Sequence, residues 1–456
     1  MNTFILILLV IAYLMISLTV TNNDLVFPTN IVMVMYMLSL TFFISEMRNW
    51  DGDISSQTLF LFIVGLTTYL ITSIIVFKVF SRISIFKRER QYNFTELSDA
   101  ELKEGVPNVD GLLTLAIDIY LVFALLKYYL DVRSASMRVG VSSSFSGMIG
   151  NYRNAGAYGE GKVDVSLSTL STYNFMLMTA LGYVYMALVV QYLVLKKKTS
   201  LQWKVLNSIP IAVYAFATIL TGGRTPLIQF IVAFAVMYYL KHAQIYGKVK
   251  FDLKKILRLF FIGVFALWVF SEFRTVVGRS DTKSTWDYLA MYIGASIKLF
   301  DKFVTDPVRI SHQYIGQETF PYLWISFFGK TITNWSNLEF RNSSSGIGLG
   351  NVYTAFRRYY SDFGVGGLIA LTALESFFYS LFYVKVSDKR KPSREIDFAT
   401  LLYSFFAVGP VYYSVDDRLF PYYVAKDRLY IIILMFVFAK VLSHVKLGFQ
   451  VTTKKL

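Results

Sequence analysis

Residues 346–367 read GIGLGNVYTAFRRYYSDFGVGG, and from Leu368 the chain continues without a break into the apolar run LIALTALESFFYSLFYV. That junction decides the fold class: a polar loop ends where a membrane-spanning helix begins, and the reading places the span at residues 364–384. Within the stretch, six glycines let the backbone turn or come close to a ligand. Arg357 and Arg358 offer donor forks suited to phosphate. Asn351, Tyr353, Thr354 and Tyr359 offer neutral hydrogen bonds, so the surface suits a sugar diphosphate.

Composition agrees with that junction. The 456 residues are 55% hydrophobic and 16% charged, with a mean hydropathy of +0.49. Apolar runs of the roughly 18–20 residues needed to cross a bilayer recur along the chain. The expectation is an all-α, polytopic transmembrane bundle, one integral membrane domain over residues 1–456. No cysteine is present, which excludes disulfides and thiolate metal sites, and the three histidines (His242, His312, His444) are too scattered for a histidine metal site. No metal or cofactor is expected. A net charge of +15 in such a chain reads as basic loops at the cytoplasmic face, not as a nucleic-acid surface.

Spans are placed near residues 3–20, 30–46, 57–77, 111–130, 171–194, 203–221, 225–241, 256–272, 364–384, 397–413 and 429–443, eleven in all. Residues 1–20 lack a basic leading segment and a small-residue cleavage site, so they are kept as a span. Alternate connections then hold 25 of the 45 Lys and Arg residues on one side, against nine in the short connections of the other. The positive-inside rule puts the N-terminus outside and the large loop 273–363 outside as well, facing the periplasm or exterior of a cytoplasmic (inner) membrane. That loop holds ten basic residues, and loops above about 60 residues are exempt from the count, so its arginines need another explanation.

Several outer stretches carry candidate chemistry. The Ser- and Gly-rich connection 131–164 argues against a stable helix; its Arg153 is either solvated or part of an anion-binding wall. In Thr221-Gly222-Gly223-Arg224-Thr225-Pro226, glycine makes a tight turn and proline suits the first turn of the next helix. Arg224 is not required by that geometry; it either snorkels to lipid headgroups or strengthens a phosphate site at a helix N-terminus. Glu272, Arg274 and Arg279 follow the eighth span. From Trp286 to Phe300, apolar residues recur at helical spacing with Asp287, Lys298 and Asp301 at polar positions, which predicts a helix lying on the membrane or capping a cavity. Beyond it stand Asp306, Arg309, His312 and Glu318, then an apolar, re-entrant piece around 320–328. Within spans, Asp118, Lys127 and Glu375 are the charges, and each is a functional hypothesis; Lys127 is near enough to the outer end to snorkel.

The combination of TGGRTPLIQF at a turn between spans, a long outer loop, and GNVYTAFRRYYSDFGVGG opening the next span resembles bacterial oligosaccharide repeat-unit polymerases, the Wzy-type enzymes of O-antigen and capsule assembly. Their layout is similar to that of O-antigen ligases and of the GT-C glycosyltransferases. The resemblance implies a glycan donor and a repeat-unit acceptor, both on undecaprenyl diphosphate at the outer leaflet, in company with membrane lipids, a chain-length regulator and a flippase, and no nucleic acid. It implies attack of an acceptor hydroxyl on the anomeric carbon with departure of the lipid diphosphate. Arg224, Arg274, Arg357 and Arg358, with Arg279 and Arg153 behind them, are the expected diphosphate ligands. Asn351, Tyr353 and Thr354 are expected to position substrate, and His312, Asp362, Glu272 and Asp306 are candidate bases. Two rivals stand beside this reading. A ligase shares the donor chemistry but transfers the glycan to a lipid A core, and a flippase or exporter would show charges along a mid-membrane path and two related halves.

Overall fold

The computed structural model describes residues 1–81, 105, 107, 109–142, 144–158, 163–196, 199–247, 268, 272, 284–307, 313–332 and 338–446. These form helices α1 (Asn2–Val20), α2 (Pro28–Glu46), α3 (Ser56–Phe80), α4 (Gly111–Val139), α5 (Phe145–Tyr158), α6 (Thr169–Val194), α7 (Leu201–Leu220) and α8 (Thr225–Tyr246). After them come α9 (Thr285–Leu289), a π-helical turn (Ala290–Gly294), α10 (Ala295–Thr305), α11 (Phe356–Ser387), α12 (Phe398–Phe406), α13 (Val408–Tyr412), α14 (Phe420–Tyr423) and α15 (Lys426–His444). Arg341–Asn342 and Gly348–Gly350 pair as a small antiparallel ribbon. The chain is an all-α polytopic bundle: among the described residues eight helices, α1–α4, α6–α8 and α11, are long and apolar enough to cross a membrane. The expected span 397–413 is a shorter apolar helix, Phe398–Tyr412, broken near Ala407. α15 carries Lys426, Asp427, Arg428 and Lys440, which confines its apolar part to its middle. The expected span 256–272 lies outside the described residues, apart from Trp268 and Glu272.

Two apolar cores hold the bundle. One gathers α1, α2, α3, α10 and α11; the other gathers α4, α6, α7 and α15, and residues of α8 and α12 enter both. α6 is the most enclosed span, 83% buried over its apolar window, whereas α1 is 22% buried and turns Phe4, Leu8, Ile11 and Met15 outward. An apolar helix that exposes such side chains is suited to lipid, where burial against protein brings no extra hydrophobic gain.

The helix ends sort into two polar layers, with the grouping that alternating spans predict. In one layer, Ser55 and Thr58 donate to Asp301 (2.8 Å each), Lys298 pairs with Asp301 (2.9 Å), and Lys302 pairs with Asp51 (2.7 Å). In the other, Tyr239 and Tyr383 donate to Asp24 (2.8 and 2.7 Å), Lys241 pairs with Asp397 (2.9 Å), and Lys440 pairs with Glu395 (2.6 Å). We call them the arginine end and the lysine end after the residues that dominate each.

Four local expectations change. α4 runs on to Val139 and α5 occupies Phe145–Tyr158, so the Ser- and Gly-rich connection is largely helical, because Met148 and Ile149 pack into the core. Lys298 and Asp301 do not face solvent but neutralise each other at 4% exposure each. Lys127 pairs with Asp131 on its own helix, while both carboxyl oxygens of Asp118 lack a hydrogen-bond partner among the described residues. α11 also begins at Phe356, eight residues before the expected 364, and at Gly364 its backbone leaves the helical region (φ +63°, ψ −154°). Only glycine adopts that conformation readily. The apolar run therefore starts at a kink, and two further helical turns precede it.

Candidate functional site

Those two turns carry the arginines. Arg357 is fully buried, donates to Glu318 and to Glu339 (3.0 Å), and lies over the Phe303 ring at 3.6 Å. A guanidinium taken out of water demands such partners, since an unpaired buried charge costs several kcal/mol, roughly 3–5 when one partner of a buried pair is removed. Arg358 turns the other way: its Nη1 donates to the Glu318 carbonyl (2.9 Å) and its Nε stands 3.5 Å from Asp416. Glu318 therefore meets one arginine with its side chain and the next with its backbone. Asp362, one turn on, accepts from the amides of Glu318 (3.3 Å) and Thr319 (2.7 Å) and from the Thr319 hydroxyl (2.7 Å), which fixes the loop that presents Glu318.

Asp416 continues the network. Arg418 pairs with it at 3.0 Å and lies over the rings of Tyr412 (5.0 Å) and Tyr422 (4.4 Å). Burial works against the charge of Arg418, but Tyr422 and Asp416 outweigh it and hold the guanidinium charged more firmly than in water. Tyr412 in turn faces Thr225 and feels the charge of Arg224. Arg224, at the N-cap of α8, is buried, donates to the Tyr288 hydroxyl, and lies over the rings of Tyr288 (5.1 Å) and Tyr292 (4.7 Å). Beside it Gly222 (φ +67°) turns the chain, and a side chain there would run into Arg153 of α5. Arg153, Arg224, Arg418, Arg358 and Arg357 thus form one belt across the arginine end.

One carboxylate of the belt stands apart. Asp417 is fully buried; its Oδ1 accepts from the amides of Leu419 (2.7 Å) and Phe420 (3.3 Å), and its Oδ2 has no hydrogen-bond partner among the described residues. Burial pushes its carboxyl up, to about 7, against the pull of those amides and of Arg358.

The remaining expected residues sort as follows. Tyr353 is buried and donates to the Glu339 carbonyl (3.1 Å); Thr354 is buried and faces Tyr36; Asn351 is half-buried in the turn between the ribbon and α11. Asp306 pairs with Arg341 (3.3 Å), and Glu272 is exposed. Arg274, Arg279, Arg309 and His312 lie outside the described residues. Glu339, Asp416, Asp417 and Arg418 belong to neither of the two motifs, and the sequence around Glu318 gives that residue no role. A run of two acids and an arginine between tyrosine pairs, YYSVDDRLFPYY, was the available signal.

Among the described residues no group of three or more His, Cys, Asp or Glu side chains has the arrangement of a metal site. No family model, no curated protein and no solved structure matches this chain.

Proposed function

We propose that this chain is a membrane glycosyltransferase that polymerises undecaprenyl-diphosphate-linked oligosaccharide repeat units, with its arginine end at the outer face of a cytoplasmic membrane. One observation carries the reading: Arg224, Arg358 and Arg418, separated by 134 and 60 residues in sequence, gather at a single end of the bundle, Arg358 and Arg418 on Asp416 and Arg418 and Arg224 about Tyr412. Charge collects on the lipid diphosphate as the bond to the anomeric carbon breaks. Guanidinium groups already fixed by aromatic rings and carboxylates meet that charge without reorganising. The acceptor hydroxyl forms the new glycosidic bond and gives up a proton, and Asp417, the carboxylate of the belt that makes no ion pair among the described residues, is the group assigned to take it. Arg357 holds the frame, since two carboxylates already engage it.

The test is incubation of purified protein with lipid-linked repeat units, followed by gel separation of the glycans. A ladder that disappears in Arg224→Ala and Arg418→Ala, with both proteins inserted at normal levels, is the expected result. Transfer of a finished glycan to a lipid A core without chain extension would move the reading to a ligase. Movement of the lipid-linked unit across vesicles with no new bond would move it to a flippase.

A further inference from the structure

The lysine end holds a groove that the reaction above does not use. It lies between the end of α6 and the start of α7, has a volume of about 550 Å³, and is lined by Tyr192, Lys196, Thr199, Trp203, Lys204 and Ser208 among others. Its floor is aromatic: Trp203 stacks on Tyr192 at 4.0 Å, and the Tyr192 hydroxyl is anchored on the Pro107 carbonyl (2.7 Å). Its rim carries two exposed lysines, Lys196 and Lys204, which make no ion pair among the described residues. Directly beside them Leu193, Leu201 and Val205 are 51%, 77% and 52% exposed.

A second observation is the backbone at Lys196. It takes up φ +51°, the left-handed conformation that closes α6 and that glycine ordinarily supplies. A lysine there is conformationally costly, and it places a cation at the mouth of the groove. Polar groups that suit phosphate (two ammonium groups and two hydroxyls), an amphipathic tryptophan and exposed aliphatic side chains meet in one place at the end of two membrane-length helices. A soluble anion would have no use for the aliphatic flank, and a neutral lipid none for the two exposed lysines.

We propose that this groove binds one anionic phospholipid of the adjoining leaflet, its phosphate held by Lys196 and Lys204 with Thr199 and Ser208, and its first acyl carbons lying on Leu193 and Val205. The site is independent of the glycosyl-transfer reading and is tested without it.

The full-length protein is reconstituted into vesicles of phosphatidylcholine doped with brominated phosphatidylglycerol or with brominated phosphatidylcholine, and the Trp203 contribution is isolated by subtracting a Trp203→Phe protein. Brominated phosphatidylglycerol is expected to quench Trp203 at lower mole fraction than brominated phosphatidylcholine, with each lysine contributing about fivefold to the preference. Lys196→Gly removes the charge at a position where glycine fits the backbone; it should lose its share of the preference with unchanged or higher thermal stability. Lys204→Gln should lose its share too, and Lys440→Gln, at the same end but paired with Glu395, should keep the full preference. Equal quenching by the two lipids in the wild type overturns the proposal. So does a preference that survives in Lys196→Gly/Lys204→Gln, or one lost equally in Lys440→Gln, which would make it a property of the whole charged face. Soluble glycerol phosphate should not compete; if it displaces the quenching lipid, the occupant is a free phosphate.

Discussion

At one end of the bundle Arg357 is fully buried between Glu318 and Glu339, whereas at the other Lys440 meets Glu395 with the two side chains 49% and 46% exposed. The contrast runs through most of both layers. Arg224, Arg358 and Arg418 are enclosed by rings and carboxylates, while Lys196 and Lys204 stand free of ion pairs among the described residues. Guanidinium is planar, weakly hydrated and able to satisfy several acceptors at once, so it tolerates burial; ammonium is a hydrated point charge that does best near water or lipid phosphate. The exceptions keep to the same rule, for buried Lys298 and Lys241 each have a carboxylate within 2.9 Å. One end is thus built as a fixed electrostatic framework, and the other as a charged rim.

The comparison is most sharply tested by sidedness, where the outcome is all or none. Because the chain has no cysteine, single cysteines report cleanly. Val141→Cys, 94% exposed beside α5, should react with a membrane-impermeant maleimide in intact cells, and Leu201→Cys only after lysis. The reverse pattern would put the arginine belt on the cytoplasmic side and remove the proposed reaction. Next in size is Arg357→Ala, which leaves Glu318 and Glu339 without their shared cation and should cost about 3–5 kcal/mol, seen as a large drop in thermal unfolding temperature. A change no bigger than a surface substitution would mean that the framework is loose. Arg418→Ala should lower chain extension about a hundredfold, the cost of losing one fixed donor to a developing anion. Activity should rise with pH as Asp417 loses its proton, reaching half its plateau at about 7 and levelling off only well above that, and Asp417→Asn should be low and flat across that range. The smallest effect is expected at Lys440→Gln, roughly 0.3 kcal/mol or less in unfolding, because an exposed pair gains little.

Much of the fold was legible because lipid imposes one simple requirement, an apolar run of sufficient length, and α1, α2, α3, α6, α7 and α8 meet it in plain sequence. What was hidden depended on partners far along the chain. FRRYYSD reads as loop because it is polar, yet it is helical because Glu318, Glu339 and Asp416 neutralise its arginines. FSGMIGNYRNAGAY reads as irregular from its glycines and serines, but packing of Met148 and Ile149 overrides that propensity. Arg224, Arg357 and Arg358 could be named from their motifs; that Arg224 and Arg358 come together through Tyr412, Arg418 and Asp416 could not, since neither motif contains those residues.

The break at Gly364 has a mechanical meaning. It uncouples the short helical head that bears Arg357 and Arg358 from the long rod below it, so the head is aligned by its acidic neighbours and the rod by its contacts with α3. The two can be set by different forces, and an arriving ligand that nudges the head need not tilt the rod. Alanine held in the existing Gly364 geometry would cost about 1–3 kcal/mol, so Gly364→Ala should straighten the joint into a continuous helix and swing the guanidinium pair away from Glu318 and Asp416. A lowered thermal unfolding temperature for Gly364→Ala, with Glu318, Arg357 and Arg358 all kept, would register that swing.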